Sequence, residues 1–294
     1  VHDEKFLADR FEEHRAHLRS VAYRMLGSVA DADDAVQDAW LRLARADASE
    51  IGNLGGWLTT VVGRVCLDML RARKSRPEEP LEIDRLPDPI VTSETAPDPE
   101  QEALLADSVG LALLVVLESL RPAERIAFVL HDMFALPYEQ IAPIVDRTPQ
   151  TAKKLASQAR RRVQGAPPDP TVSLSHRRRM VDAFLAAARN GNFEDLLRLL
   201  DPDVVLRVDA TPTGLQVLRG APAVAAQAET FHRMATLCTT HPAVVNGQAG
   251  LVNTVNGDPF SIMSFTITGS HITAIEILSG QDRLSHLDLS AILG

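Results

Sequence analysis

Gln150, Lys154, Ser157 and Arg161 fall three or four residues apart, so on a helix their amide, ammonium, hydroxyl and guanidinium groups share one face. Such groups hydrogen-bond base edges in a major groove and grip phosphate oxygens. Thr151, Lys153, Gln158, Arg160 and Arg162 flank them. A second basic set, Arg71, Arg73, Lys74 and Arg76, closes an earlier helical stretch, with Arg64 two turns before it. The helix dipole favours cations at a C-terminus by roughly 0.3–1 kcal/mol each. Four cations within six residues exceed what capping needs and suit a phosphate backbone. Chemistry of the opposite sign gathers at Asp33, Asp34, Gln37 and Asp38, a face for water or for a basic partner. Asp209, His232, His241 and Glu276 are candidates for proton transfer, which requires one of them buried with its pKa near the working pH. Their spacing selects no pair.

These side chains need helices to hold them. Over Asp31–Ala44, Val36, Ala39, Trp40 and Leu43 recur at i, i+3, i+4 and i+7, a buried stripe that leaves the acids outside. Trp57–Arg76 buries Leu58, Val61, Val62, Val65 and Met69 and exposes Arg64; the glycine-rich loop Gly52–Gly56 ahead of it reads as an interhelical turn. Pro137–Asp146 reads as a short helix with Ile141, Ile144 and Val145 inward. Thr148 then serves as N-cap, with Pro149 at the first helical position. The helix that follows buries Ala152, Leu155, Ala156, Ala159 and Val163. The pair is a helix-turn-helix, with a plain αα-hairpin bearing a basic surface as the alternative. Asp146 stands where such turns often carry glycine.

The net charge of −9 at first argues against nucleic acid. Its distribution reverses that, because Pro77–Ser108 holds ten acidic residues against Arg85 alone, a net of −9 equal to the whole chain's excess. Screening confines each charge's reach to about 10 Å, so local patches decide. That proline-bearing acidic run reads as a linker that packs no core. Gly165–Pro170 is a second breaker, and from Arg177 onward helices give way to strand-like runs such as Phe260–Thr268 and His271–Leu278, parted by Asn256-Gly257 and Gly269-Ser270 turns. The expected layout is residues 1–76, a linker at 77–108, 109–165, a short linker at 166–176, and 177–294. The 2 cysteines, Cys66 and Cys238, allow no disulfide framework. No apolar run is long enough to cross a bilayer, and Val1–Arg10 lacks the basic-then-apolar order of a signal peptide. A cytoplasmic protein is expected. His14 and His17 lie three apart on a helix with no further ligand at suitable spacing, so neither metal nor other cofactor is expected.

Three ordered motifs carry a family resemblance. Asp31–Trp40 resembles the region 2 signature of sigma factors, Trp57–Asp68 their −10 reading and strand-melting segment, and Arg121–Arg162 their region 4. The absence of other sigma regions matches the compact extracytoplasmic-function (ECF) class of the sigma-70 family. Leu155–Arg162 followed by a further domain is similar to members with a SnoaL-like C-terminal extension. The resemblance implies two all-α sigma domains, a region 2 bundle and a region 4 helix-turn-helix, plus an α+β SnoaL/NTF2-like cone-shaped barrel. It implies a transcription initiation factor that binds core RNA polymerase through Asp33, Asp34, Gln37 and Asp38. Promoter DNA would be held at −10 by Asn53, Arg64, Arg71, Arg73 and Lys74. The −35 element would be read by Gln150, Thr151, Lys153, Lys154, Ser157, Arg160 and Arg161. The free protein is expected to be a monomer that is not an enzyme, with its last domain regulating activity in cis. The alternatives are a helix-turn-helix regulator fused to a SnoaL-like isomerase or cyclase, and a repressor that uses no polymerase. Whether the last domain takes a small ligand stays open. Two motifs of the subgroup are only loosely present, as Arg85-Leu86-Pro87-Asp88-Pro89 and Gly280-Gln281-Asp282-Arg283-Leu284.

Overall fold

The computed structural model describes residues 2–46, 51–74, 85–94, 110–163, 173–210, 214–227 and 237–294. Arg76, the 165–170 breaker, His232 and most of the acidic run lie outside them, as does the side chain of Lys74. The chain divides into two compact units, Val1–Glu82 with Leu114–Gly165, and Ile83–Leu113 with Ala166–Gly294.

The first unit opens with α1 (His2–Leu26), α2 (Val29–Leu43) and α3 (Leu54–Lys74). Ser28 caps α2, its hydroxyl accepting from the Asp31 amide at 3.4 Å, and Ala32, Ala35, Val36, Ala39 and Leu43 turn inward. Trp40 is half-buried and leans on Phe11, ring centroids 5.2 Å apart. Helix α3 starts at Leu54, ahead of the expected Trp57, because the Asn53 carboxamide oxygen accepts from the Gly56 amide at 3.0 Å. That is the N-cap geometry that supplies an otherwise missing acceptor. Leu58, Val62, Val65, Cys66 and Leu67 fill the bundle core, each large apolar side chain contributing about 1.5–3 kcal/mol by leaving water.

The same unit continues through α4 (Leu111–Glu118, of which Leu114 onward belongs here), α5 (Pro122–Phe128) and a π-helical turn at Val129–Met133. It then runs through α6 (Tyr138–Ile141) and α7 (Pro149–Val163). The expected helix over Pro137–Asp146 shortens to one turn, Pro143 having no amide hydrogen to extend it. Asp146 sits at φ +54°, the left-handed conformation that glycine commonly supplies at such turns and that aspartate tolerates. Thr148 caps α7 as expected, its hydroxyl accepting from the Thr151 amide at 3.2 Å.

The second unit is α+β. Helices α8 (Leu174–Arg189) and α9 (Phe193–Leu199), with a helical stretch at 221–227, accompany β1 (Val91–Thr92), β2 (Leu200–Ala210), β3 (Gly214–Arg219), β4 (Thr239–Val245), β5 (Gln248–Val255), β6 (Asp258–Thr268) and β7 (His271–Ser279). Short helices α10 (Gln281–Leu284) and α11 (Ser290–Leu293) follow. Strand order is β1-β4-β5-β6-β7-β2-β3, antiparallel throughout except β2 with β7. Asn256 and Gly257, both at positive φ, close the β5–β6 hairpin. On one face Leu251, Phe265, Ile275 and Ile277 pack against Val181, Phe184 and Leu196 of the helices, the Phe184 and Phe265 rings edge to face at 5.5 Å. Val91, Val245, Val252, Ile262 and Leu278 cluster separately with Leu284 and Leu289.

The expectation that 77–108 packs no core fails at Leu86–Thr92. Leu86 and Val91 are buried, and β1 adds to the sheet edge with Val91 opposite Val245 and Thr92 opposite Val244. Asp88 is the one charge in that stretch. Pro87 and Pro89, lacking amide donors, suit an edge segment rather than a central strand.

Candidate nucleic-acid interface

Helix α7 presents the outer face the spacing predicts. Gln150, Lys153, Lys154, Gln158 and Arg161 are exposed and Ser157 half-buried, while Ala152, Ala156, Ala159 and Val163 face the core. Gln150, Lys153, Lys154, Ser157, Gln158 and Arg161 line an open cleft of about 530 Å³. A second cleft of about 390 Å³, between Arg121, Glu124, Gln158, Arg161 and Arg162, shares Arg161 with the first. Thr151 is half-buried and hydrogen-bonded to Thr148, and the Ser157 hydroxyl donates back to the Lys153 carbonyl at 2.9 Å. Arg160 departs from the face: its Nε donates to the Asp132 carboxylate at 2.8 Å, with a second contact through Nη2. That hydrogen bonding pushes its guanidinium pKa further up. Arg160 therefore meets DNA only by sharing or leaving Asp132.

Sequence reasoning missed Glu124. Its side chain is 4% exposed, accepting from the Arg121 amide at 3.2 Å and from Arg162 at 2.8 Å. The carboxylate thus caps α5 and ties down the last turn of α7. Proline at the first helical position with an acid two residues on was the available signal.

On α3 the −10 candidates divide. Asn53 is exposed and caps the helix. Arg73 is tied within the bundle, donating to the Leu26 carbonyl at 3.1 Å and pairing with Asp31. Arg64 is exposed with Nη2 3.3 Å from the Pro143 carbonyl, and Arg71 pairs with Asp146 at 3.6 Å. On α2, Asp33, Asp34, Gln37 and Asp38 are all exposed. Arg19 clasps Asp33 through two hydrogen bonds of 2.6 and 3.1 Å, and Asp38 faces Arg42 at 3.7 Å. Leu41, 44% exposed, lies one turn beyond on the same side.

Asp209 on β2 and Glu276 on β7 stand two residues apart in register on adjacent strands, and each is already engaged by an arginine. Asp209 accepts from the Leu86 amide at 2.8 Å and from Arg283 at 2.5 Å, and Arg283 also donates to the Leu86 carbonyl at 2.8 Å and to Asp88 at 2.5 Å. The two loosely matched motifs meet at this carboxylate. Glu276, fully buried, accepts from Arg207 at 2.8 Å, and burial outweighs that cation to push its carboxyl up to about 7. His241 Nε2 lies 3.2 Å from the Thr254 hydroxyl, on β4. Among the described residues no group of His, Cys, Asp and Glu could hold a metal, and no helix is long and apolar enough to cross a membrane.

These surfaces define a helix-turn-helix DNA-binding protein with an attached α+β domain. Residues 10–76 match the family model described as Sigma-70 region 2, and residues 110–163 that of Sigma-70, region 4. The chain is 36% identical over 268 residues to the "Probable ECF RNA polymerase sigma factor SigI" of Mycobacterium tuberculosis, covering 90% of each chain. It is 41% identical over 220 residues to the ECF RNA polymerase sigma factor SigJ of the same species, covering 72% of this chain and 68% of that one. The crystal structure of that extracytoplasmic function sigma factor SigJ superposes with a TM-score of 0.75 at 32% identity, over 96% of this chain and 99% of the other. The chain belongs to the ECF RNA polymerase sigma factors of the sigma-70 family, and is a transcription initiation factor.

Proposed function

We propose that α2 docks on core RNA polymerase, α3 and its capping loop hold the melted −10 strand, and α7 reads the −35 major groove. The observation that carries this is the segregation of charge within one unit: an exposed acidic face at Asp34, Gln37 and Asp38, and the cationic cleft of α7. An acidic helix face repels DNA and suits a basic protein surface; Gln, Lys, Ser and Arg in a cleft suit base edges and phosphates. Within the −35 set, Lys154 and Arg161 are the principal contacts, with Arg160 held back by Asp132. The partners are thus core polymerase and promoter DNA, in the cytoplasm.

The α+β domain acts as a regulator in cis and not as an enzyme. Asp209 and Glu276 each already hold an arginine, and the sheet face packed by α8 and α9 is filled by Leu251, Phe265 and Ile277. A buried carboxylate serves as a base only where substrate reaches it; Asp209 is spent on internal contacts, and Glu276, whose Oε2 has no hydrogen-bond partner among the described residues, is fully buried.

Charge reversal tests the docking surface. The double variant Asp34→Arg and Asp38→Arg is expected to abolish binding to core polymerase while leaving the circular dichroism melt nearly unchanged, because both side chains are exposed. Unfolding of the variant would show the acidic face to be structural.

A further inference from the structure

Arg160 is the one basic residue of α7 that lines neither cleft of region 4. Seven residues after Lys153, it stands on the same edge of the helix, an edge that passes the phosphates when the helix lies in a groove. Its guanidinium is nevertheless turned back into the protein. Nε donates to Asp132 Oδ1 at 2.8 Å, and Nη2 reaches the same oxygen. Asp132 belongs to the π-helical turn Val129–Met133, and its side chain is 19% exposed against 47% for Arg160. The chain around that turn is braced. The His131 ring stacks on Tyr138 with centroids 3.9 Å apart, and His131 Nδ1 lies 2.9 Å from the Leu136 carbonyl. Tyr138 adds its own hydrogen bonding to the Arg160 guanidinium, after Asp132. Lys153, Lys154 and Arg161, in contrast, line the open cleft and form no ion pair among the described residues.

Magnitudes decide where Arg160 stays. One phosphate contact returns about eightfold in affinity for each tenfold drop in salt. Stranding a mostly buried carboxylate costs on the order of a hundredfold or more. We propose that Asp132 is a positioning residue of the −35 reader: it holds Arg160 off the DNA backbone and so keeps the sequence-independent grip of α7 low. The inference rests on the reading of α7 as the −35 helix. A phosphate contact strengthens all sequences alike, and a genome offers on the order of a million or more competing sites. With one such contact withheld, region 4 spends less time on those sites, and recognition is left to Gln150, Lys154, Ser157 and Arg161.

The test uses holoenzyme reconstituted from the full chain and core polymerase. It is titrated over a range of salt with two short duplexes, one bearing the cognate −35 element and one with that element scrambled. Asp132→Asn keeps the side chain's shape and removes the charge that holds Arg160. Asp132→Ser is a second route to the same release, and circular dichroism melts check that both variants fold. Each is expected to bind both duplexes about five- to tenfold more tightly at ~0.1 M salt, with a log–log salt slope steeper by about 0.9. Loss of packing alone does not steepen that slope. Adding Arg160→Ala to Asp132→Asn should remove the gain and the extra slope together. Weaker binding with a shallower slope in Asp132→Asn would make Asp132 a buttress that presents Arg160 to DNA, and overturns the proposal. Unchanged affinity and slope, or a gain that survives Arg160→Ala, overturns it as well. Failure of the underlying reading looks different. A wild-type holoenzyme that binds the two duplexes equally shows that α7 is not the −35 reader, while the change in salt slope still decides what Asp132 does to Arg160.

Discussion

Arg161 lines both clefts of region 4 and Lys154 only one, so the two are expected to differ in kind. Arg161→Ala or Lys154→Ala should cost about 1–3 kcal/mol at a −35 element if the side chain reads a base, with specificity relaxed at one position. A pure phosphate contact would instead weaken all sequences alike and lower the salt slope by about one. Affinities across −35 variants at several salt concentrations separate the cases, and Arg160→Ala should lose less than either. Spacing alone exposed this face, because side chains at 100° intervals on one helix are a local property. The ties of Arg160 to Asp132 and of Arg162 to Glu124 cross 28 and 38 residues, and no local pattern encodes them. Glu276 gives a second residue-scale expectation. Burial raises its folded pKa from an ordinary 4.5 to about 7, so the unfolded chain releases this proton first as pH rises. Stability from this group therefore falls between about pH 4.5 and 7 and levels above that range. Thermal melts of Glu276→Gln should gain on the wild type from pH 5 to 7.5; parallel pH profiles would show Glu276 ionised throughout.

Elements of the second unit were legible where turn chemistry is local. Asn256-Gly257 marked the turn after β5, and the runs Phe260–Thr268 and His271–Leu278 match β6 and β7 to within two residues at each end. The parallel pairing of β2 with β7 joins residues some seventy apart, and nothing near Leu206 announces Ile275 as its neighbour. β1 was hidden for another reason: composition averaged over the acidic run masks the short apolar stretch Leu86–Thr92 within it. Its anchor is Arg283, held between Asp209, Asp88 and the Leu86 carbonyl. Arg283→Met leaves the buried Asp209 carboxylate with the Leu86 amide as its remaining partner among the described residues, and stranding a buried charge in this way costs about 3–5 kcal/mol. Amide exchange at Leu86 and Ile90 should accelerate markedly in that variant, while exchange within α1–α3 stays at wild-type rates. Equal protection in both proteins would mean that apolar burial of Leu86 and Val91 holds the segment without the arginine.

At the scale of the molecule, charge is sorted rather than balanced: an acidic α2 face, a cationic α7 cleft, and an acidic run whose bulk contribution conceals both. The three motifs in order made the two sigma regions readable from sequence. How region 4 meets α3 was not, because Gly63 signals a close approach without naming Ile144 as what approaches. The central claim is that one chain joins polymerase to a promoter through these two surfaces. Run-off transcription from a cognate promoter, with purified chain and core polymerase, tests it most directly. A discrete transcript is expected only when both are present, lost in the Asp34→Arg, Asp38→Arg variant and sharply reduced by Arg161→Ala. Sequence-specific DNA binding with no association with core polymerase and no transcript would contradict it and leave a repressor in its place.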